Sequence, residues 1–326
     1  MLKTVAEVSA MLEKGQWLHI SGATELLTQL PKGNWIGGSI EYFLTSEGGV
    51  TTDEKLFIQE MPFDTIKIDV YDENNIKNVC LDAYDNGFSI VILPFESKVR
   101  DVYARYAPDF PDMYLKSIVG WCAGYNITKG LESTIVVNGQ NAEIFTDKAV
   151  VMHVSLPKDR IANIGIINMF TPDENSPIIE FLEDTSFVEK CLIDGKEVVF
   201  AEYIAENNID IRIPIIGAFY NANINVSFFN IKDGIVHFAS IVYSGIKYRF
   251  GEAVPDYFAA FSNALKEYSD LNPVISLNCA NNYWFGELEG KSVGTFQGPN
   301  TFGEIAYQYM NQTMVYLTIV DNEGSN

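Results

Sequence analysis

The chain has 326 residues, a formal net charge of −21, and is 47% hydrophobic and 13% aromatic. This length allows one large domain or two ordinary ones with a sizeable core, and the apolar content excludes a disordered chain. The acidity disfavours nucleic acid and anionic membrane surfaces, because it repels phosphate.

From the N-terminus, Thr4 to Lys14 reads as an amphipathic helix closed by Gly15, and Ala23 to Leu30 as a second, stopped by Pro31. Lys32 to Ser39 reads as a glycine-rich turn, followed by a strand at Lys55 to Ile58. Asn74 to Asn86 carries the clearest helical periodicity of the first half, with Ile76, Val79, Cys80, Ala83 and Tyr84 on one face and Gly87 as its cap. Ser89 to Leu93 is an almost wholly apolar strand, which predicts sheet buried on both faces. Val99, Val102, Tyr103 and Tyr106 predict another helix. Lys98, Arg100 and Arg105 on it form the densest basic stretch, with Asp101 inside it, and read as a solvated helix face.

The middle of the chain is strand-rich, at Thr134 to Val137, Ala149 to Val154 and Ile164 to Phe170. Asp233-Gly234 between Ile224 to Phe229 and Ile235 to Val242 predicts a hairpin. Pro255 to Tyr268 reads as a helix and Val274 to Leu277 as a strand. A short helix around Glu304 to Tyr309 and a last strand at Met314 to Val320 complete the chain, with a frayed tail over 321–326. The expected fold is α+β, or mixed α/β, with mixed sheets covered by helices. Parallel pairing is expected around Ile90 to Leu93 and Val274 to Leu277. The expected division is an N-terminal half, residues 1–210, and a C-terminal half, residues 211–326.

Motifs for common chemistries are missing. Gly290-Lys291-Ser292 has three residues between Gly286 and the Gly-Lys pair, where a P-loop needs four, and two of them are Glu287 and Glu289. No dinucleotide fingerprint stands between a strand and a helix, so no cofactor is expected. His19, His153 and His237 are isolated, so no metal site is expected, and His153 and His237 read as hydrogen-bonded sheet residues. Cys80, Cys122, Cys191 and Cys279 form no C-x-x-C pair and read as buried thiols in a reduced cytoplasmic protein. No secretory signal precedes them, and no apolar run reaches the ~18 residues of a membrane span. Cys279 stands at a strand end, where α/β proteins place functional groups, but no partner for a thiolate is visible.

Two segments repeat one local grammar: Gly37-Gly38-Ser39-Ile40-Glu41-Tyr42 and Asn300-Thr301-Phe302-Gly303-Glu304-Ile305. Each combines glycine, a hydroxyl residue and a glutamate, which is consistent with an internal duplication. Both segments are expected to line one pocket, with Glu41, Cys279 and Glu304 on its wall. Its glutamates would suit an ammonium group.

Asn278-Cys279, the turn Gly294 to Gly298, then Thr301-Phe302-Gly303-Glu304-Ile305 and Asn311-Gln312-Thr313-Met314 resemble the C-terminal half of the FIST sensory domain, over Val274 to Val320. The likeness is looser at Ile36 to Tyr42. That segment lacks the family's glycine before the glutamate, and the arginine the family carries after its cysteine is replaced by Asn281 or Asn282.

The resemblance implies a small-molecule-binding, signal-transducing protein without catalysis, its ligand an amino acid or other small amine, acting with a separate signalling partner protein. The ligand-binding candidates are Gly37, Gly38, Ser39, Glu41, Asn278, Cys279, Gly298, Thr301, Gly303 and Glu304. The rival expectations are a hydrolase-type enzyme using Cys279 or Glu304, and an oligomeric interaction protein without a ligand.

Overall fold

The computed structural model describes residues 1–130, 133–219 and 222–322. The expected fraying falls largely on residues 323–326, which lie outside the described residues.

The N-terminal unit begins with α1 (Val5–Glu13), whose Thr4 and Glu7 form a reciprocal capping box. β1 (Leu18–Gly22) and a one-turn α2 (Thr24–Leu27) lead to β2 (Trp35–Ser39), which runs parallel to β1. A hairpin of β3 (Tyr42–Thr45) and β4 (Gly48–Thr51) follows, and β5 (Leu56–Glu60) returns antiparallel to β1. The segment read as a glycine turn is therefore largely strand. Its glycines are needed for packing: a Cβ on Gly38 would lie 2.8 Å from both Ile92 and Trp121.

The central part contains β6 (Ile66–Tyr71), β7 (Gly87–Pro94), α3 (Lys98–Tyr106), β8 (Ser117–Ala123), β9 (Val136–Asn138), β10 (Ala149–Ser155) and β11 (Arg160–Ile167). β7 and β8 pair in parallel, joined across α3, and β10 pairs antiparallel with β6 and β7. Val91, Ile92, Val119, Trp121, Val150 and Met152 are all fully buried, so this sheet is covered on both faces. The helix expected over Asn74 to Asn86 reduces to one 3-10 turn at Ile76–Asn78. Ile76, Val79 and Cys80 are nonetheless buried, so the apolar spacing marked core contact rather than a regular helix.

The C-terminal unit comprises α4 (Tyr257–Lys266), β12 (Ile275–Cys279), α5 (Ala280–Phe285), β13 (Gly298–Thr301), the hairpin β14 (Glu304–Ala306) and β15 (Gln308–Met310), and β16 (Met314–Asp321). β13 is parallel to β12 and β16 is antiparallel to it. The helix expected at Glu304 to Tyr309 is thus a hairpin, and Tyr307 at its turn has a left-handed φ of 64°. This unit repeats the N-terminal order: helix, strand, short helix, parallel strand, hairpin, antiparallel strand. The hairpins leave their own units. β3 pairs with β13, and β14 pairs with β8.

Between β11 and α4 lies a β-rich module with its own core, including Ile179, Phe200, Ile215 and Tyr248. Phe200 and Ile215 share that core, so the boundary expected at residue 210 cuts through one packed unit. The architecture is α+β, with mixed sheets and few helices. Among the described residues, no helix is long and apolar enough to cross a membrane.

Candidate functional site

β12 ends at Cys279, and the chain turns directly into α5. Beside it β13 ends at Thr301, Cα partner of Cys279 in the parallel ladder. Four residues after β15, β16 returns antiparallel to β12. Strand ends and connections thus gather polar side chains in the core, where each must find a partner.

Most do. The Asn278 amide donates to Asn300 Oδ1 at 2.7 Å, and Asn282 Nδ2 donates to Asn278 Oδ1 at 3.0 Å. The Tyr257 hydroxyl donates to Asn282 Oδ1 at 2.8 Å, and Gln312 Nε2 donates to the Tyr257 oxygen at 2.9 Å. Glu304 is fully buried, with Thr301 Oγ1 3.0 Å from Oε1 and Thr313 Oγ1 2.9 Å from Oε2. Burial pushes its carboxyl up to about 8, against the hydrogen bonds from Thr313 and Thr301. The Cys279 thiol donates to the same carboxyl, and burial followed by the Glu304 charge holds its pKa well above the ordinary thiol value.

Asn300 Nδ2 has no partner, and Asn311 lacks partners at both ends of its side chain. Asn311 is 1% exposed. It lines a small crevice with Cys279 and Thr301. Phe95, Phe229, Trp284 and Phe302 wall the crevice. Their rings lie 5.1 Å (Phe95–Phe302), 5.7 Å (Phe95–Phe229) and 5.9 Å (Trp284–Phe302) apart. Its volume of about 20 Å³ accommodates roughly one water. Phe229 and Ala239 belong to the β-rich module, and Phe229 is 36% exposed. The module meets this region through polar contacts: Ser227 Oγ donates to Gln312 Oε1 at 2.6 Å, and Asn225 Nδ2 donates to the Asn311 carbonyl at 3.3 Å.

The two glycine-bearing segments do approach one another. Ser39 Oγ donates to the Gly124 carbonyl at 2.9 Å, and a Cβ on Gly124 would run into the Phe302 ring. The crevice is lined by Thr301 and Phe302 of the second segment and by no residue of the first. Of the ten candidates, Cys279 and Thr301 line the crevice, and Glu304 and Asn278 bond to the residues that form it. Gly37, Gly38, Gly298 and Gly303 are packed against neighbouring backbone or rings. Ser39 bridges the Gly124 carbonyl and the Ile135 N–H. Glu41 accepts from Asn126 Nδ2 at 2.9 Å and pairs with Lys129 at 3.0 Å. An ammonium ligand therefore finds one glutamate already paired and the other largely neutral at pH 7. Asn311 was missed as a site residue; its signal was the Asn-x-Thr triplet before the last strand.

Among the described residues, no cluster of three or more His, Cys, Asp or Glu side chains is arranged to hold a metal ion. His19 receives the Trp121 indole N–H on Nε2 at 2.8 Å and meets Gln59 through Nδ1 at 2.6 Å, and burial pushes it down to about 4. His153, held by Ser89 at 2.7 Å, is likewise pushed down to about 4. Both are neutral sheet residues. All four cysteines are free and buried.

Residues 3–320 match the pattern of a family of unknown function, DUF6976. The chain belongs to the DUF6976 family. The match spans both repeated units and the β-rich module between them, so the crevice is built wholly from DUF6976 sequence. No curated protein matches the chain.

Proposed function

We propose that the chain is a small-molecule-binding protein of the sensory type, and that its ligand is a small uncharged molecule with an amide or hydroxyl group, held in the crevice at Asn311. The carrying observation is the Asn311 side chain, buried with donor and acceptor both unused. Leaving such groups unmade costs about 1–3 kcal/mol each, and a ligand that supplies both partners recovers it.

Phe229 is the movable wall. It is 36% exposed and sits on a module with its own core, which meets the body through the Ser227–Gln312 hydrogen bond and an apolar cluster of Phe170, Ile213, Ile216 and Tyr257. Ligand binding displaces Phe229 and shifts the module. A partner protein that distinguishes the two placements then reads the signal.

The like order of elements in the N- and C-terminal units supports reading them as an ancient duplication, in keeping with the resemblance to FIST sensory domains. The hydrolase reading is weaker. A thiol held well above its ordinary pKa supplies almost no thiolate at neutral pH. Glu304 has both oxygens bonded internally.

The test is a thermal-shift screen of uncharged amides, polyols and neutral amino acids against the wild type and Asn311→Leu. A ligand at about 100 times its Kd stabilises by about 2.7 kcal/mol. The reading requires a shift that Asn311→Leu abolishes. A screen with no shift, or with equal shifts in both proteins, refutes it.

A further inference from the structure

A further opening between the module and the body lies beneath α3. It has a volume of about 430 Å³, within the range of small-molecule sites. The module supplies an apolar wall that includes Ile224, Val226 and Ile241, with the rings of Phe219 and Tyr243 packed edge-to-face 5.5 Å apart. The body supplies Arg105 and Asp109.

Two contacts hold the cleft open as pillars. The Tyr243 hydroxyl donates to the Ala104 carbonyl at 2.9 Å, and Arg105 Nη1 lies 3.3 Å from Asp184 Oδ2. Asp184 is fully engaged, because its Oδ1 also accepts from the Ser244 N–H and hydroxyl at 2.9 Å each. The Arg105 charge is thus offset within the protein. Asp109 is exposed and in no ion pair among the described residues. The uncompensated charge of the cleft is negative, in a protein of net charge −21 whose field concentrates cations.

We infer that this cleft is a second ligand site, separate from the crevice, and that it takes an amine with an apolar or aromatic body. The ammonium pairs with Asp109. The apolar body lies along Ile224, Val226 and Ile241, and the ring faces of Phe219 and Tyr243 favour a cation beside them. An anionic amphiphile of the same shape is repelled by Asp109 and finds Arg105 already occupied. The inference stands independently of the crevice reading, since it uses neither Asn311 nor Cys279.

The experiment is calorimetric titration of the whole chain with phenethylamine, phenylacetate and 2-phenylethanol at low salt. Phenethylamine binds saturably and more tightly than the other two, and binding weakens as salt rises. Asp109→Asn, an exposed substitution that leaves the fold intact, weakens phenethylamine roughly tenfold, the size of one charge-assisted contact. Asn311→Leu leaves it unchanged. No saturable phenethylamine binding, phenylacetate binding as tightly as the amine, or an undiminished affinity in Asp109→Asn overturns the inference. Loss of amine binding in Asn311→Leu also overturns it, by placing the amine in the crevice.

Discussion

Thr301 Oγ1 lies 3.0 Å from Glu304 Oε1, and the same oxygen is 3.1 Å from the Gly303 carbonyl and 3.2 Å from the Asn278 carbonyl. A hydroxyl has one proton to give and here faces three acceptors. With Glu304 protonated the conflict eases: the carboxyl donates to Thr301, whose one proton is then shared by two carbonyls rather than three acceptors. The hydrogen-bond geometry thus agrees with a carboxyl pushed up to about 8 by burial.

This proton has a measurable consequence. The folded-state pKa of Glu304 lies above its value in the unfolded chain, so the folded state binds more protons between pH 4.5 and about 8. Stability is therefore lost as pH rises through that window, by up to about 1.4 kcal/mol per unit. Glu304→Gln removes this slope. Urea unfolding of both proteins at pH 5.5 and 7.5 measures it; parallel profiles would show that Glu304 is charged throughout.

The histidines act in the opposite sense. His19 and His153 are pushed down to about 4, so the unfolded state binds more protons between about 4 and 6.5. Their contribution is lost as pH falls through that window. With Glu304 opposing them, these three groups place the stability maximum near pH 6.5. His19→Leu lowers stability by about 1–3 kcal/mol, because the Trp121 N–H and the Gln59 amide lose their partner. It also flattens the acid limb. Thermal melts from pH 4 to 9 check both effects.

All four cysteines are buried, and burial raises Cys80, Cys122 and Cys191 to about 12 and Cys279 beyond the ordinary thiol value. Iodoacetamide at pH 8 leaves the folded chain unmodified and labels all four after urea unfolding. Mass spectrometry reads the outcome. Rapid labelling of Cys279 in the folded protein would revive the nucleophile reading.

Gly38 serves packing. A Cβ there meets Ile92 and Trp121 at 2.8 Å, both in a sheet buried on its two faces. Gly38→Ala destabilises by about 1–3 kcal/mol, the usual cost of overpacking. It leaves the ligand-induced shift of the crevice intact, measured as the change in Tm at saturating ligand.

Some of this was legible in the sequence. Ser89 to Leu93 announced a doubly covered strand because a wholly apolar run has no solvent face. Thr4 to Lys14 was legible as an amphipathic helix, whose start the structure fixes with a reciprocal bond between Thr4 and Glu7. Asn74 to Asn86 misled, because Ile76, Val79 and Cys80 reach the core from successive turns as well as from a helix. Glu304 to Tyr309 misled through propensity, which pairing with Trp121 and Gly120 in β8 overrode. Cys279 and Thr301 were both expected in one pocket, and the structure makes them Cα partners in a parallel ladder. Asn311 stood in a legible Asn-x-Thr triplet, but the lack of partners that singles it out appears only in the fold.

An X-ray structure of the chain grown with the most stabilising amide of the screen tests the central claim directly. The claim predicts ligand density in the crevice, hydrogen-bonded to both Asn311 Oδ1 and Nδ2, with Phe229 displaced. A closed crevice holding one water against Asn311, with the amide bound elsewhere, would contradict it.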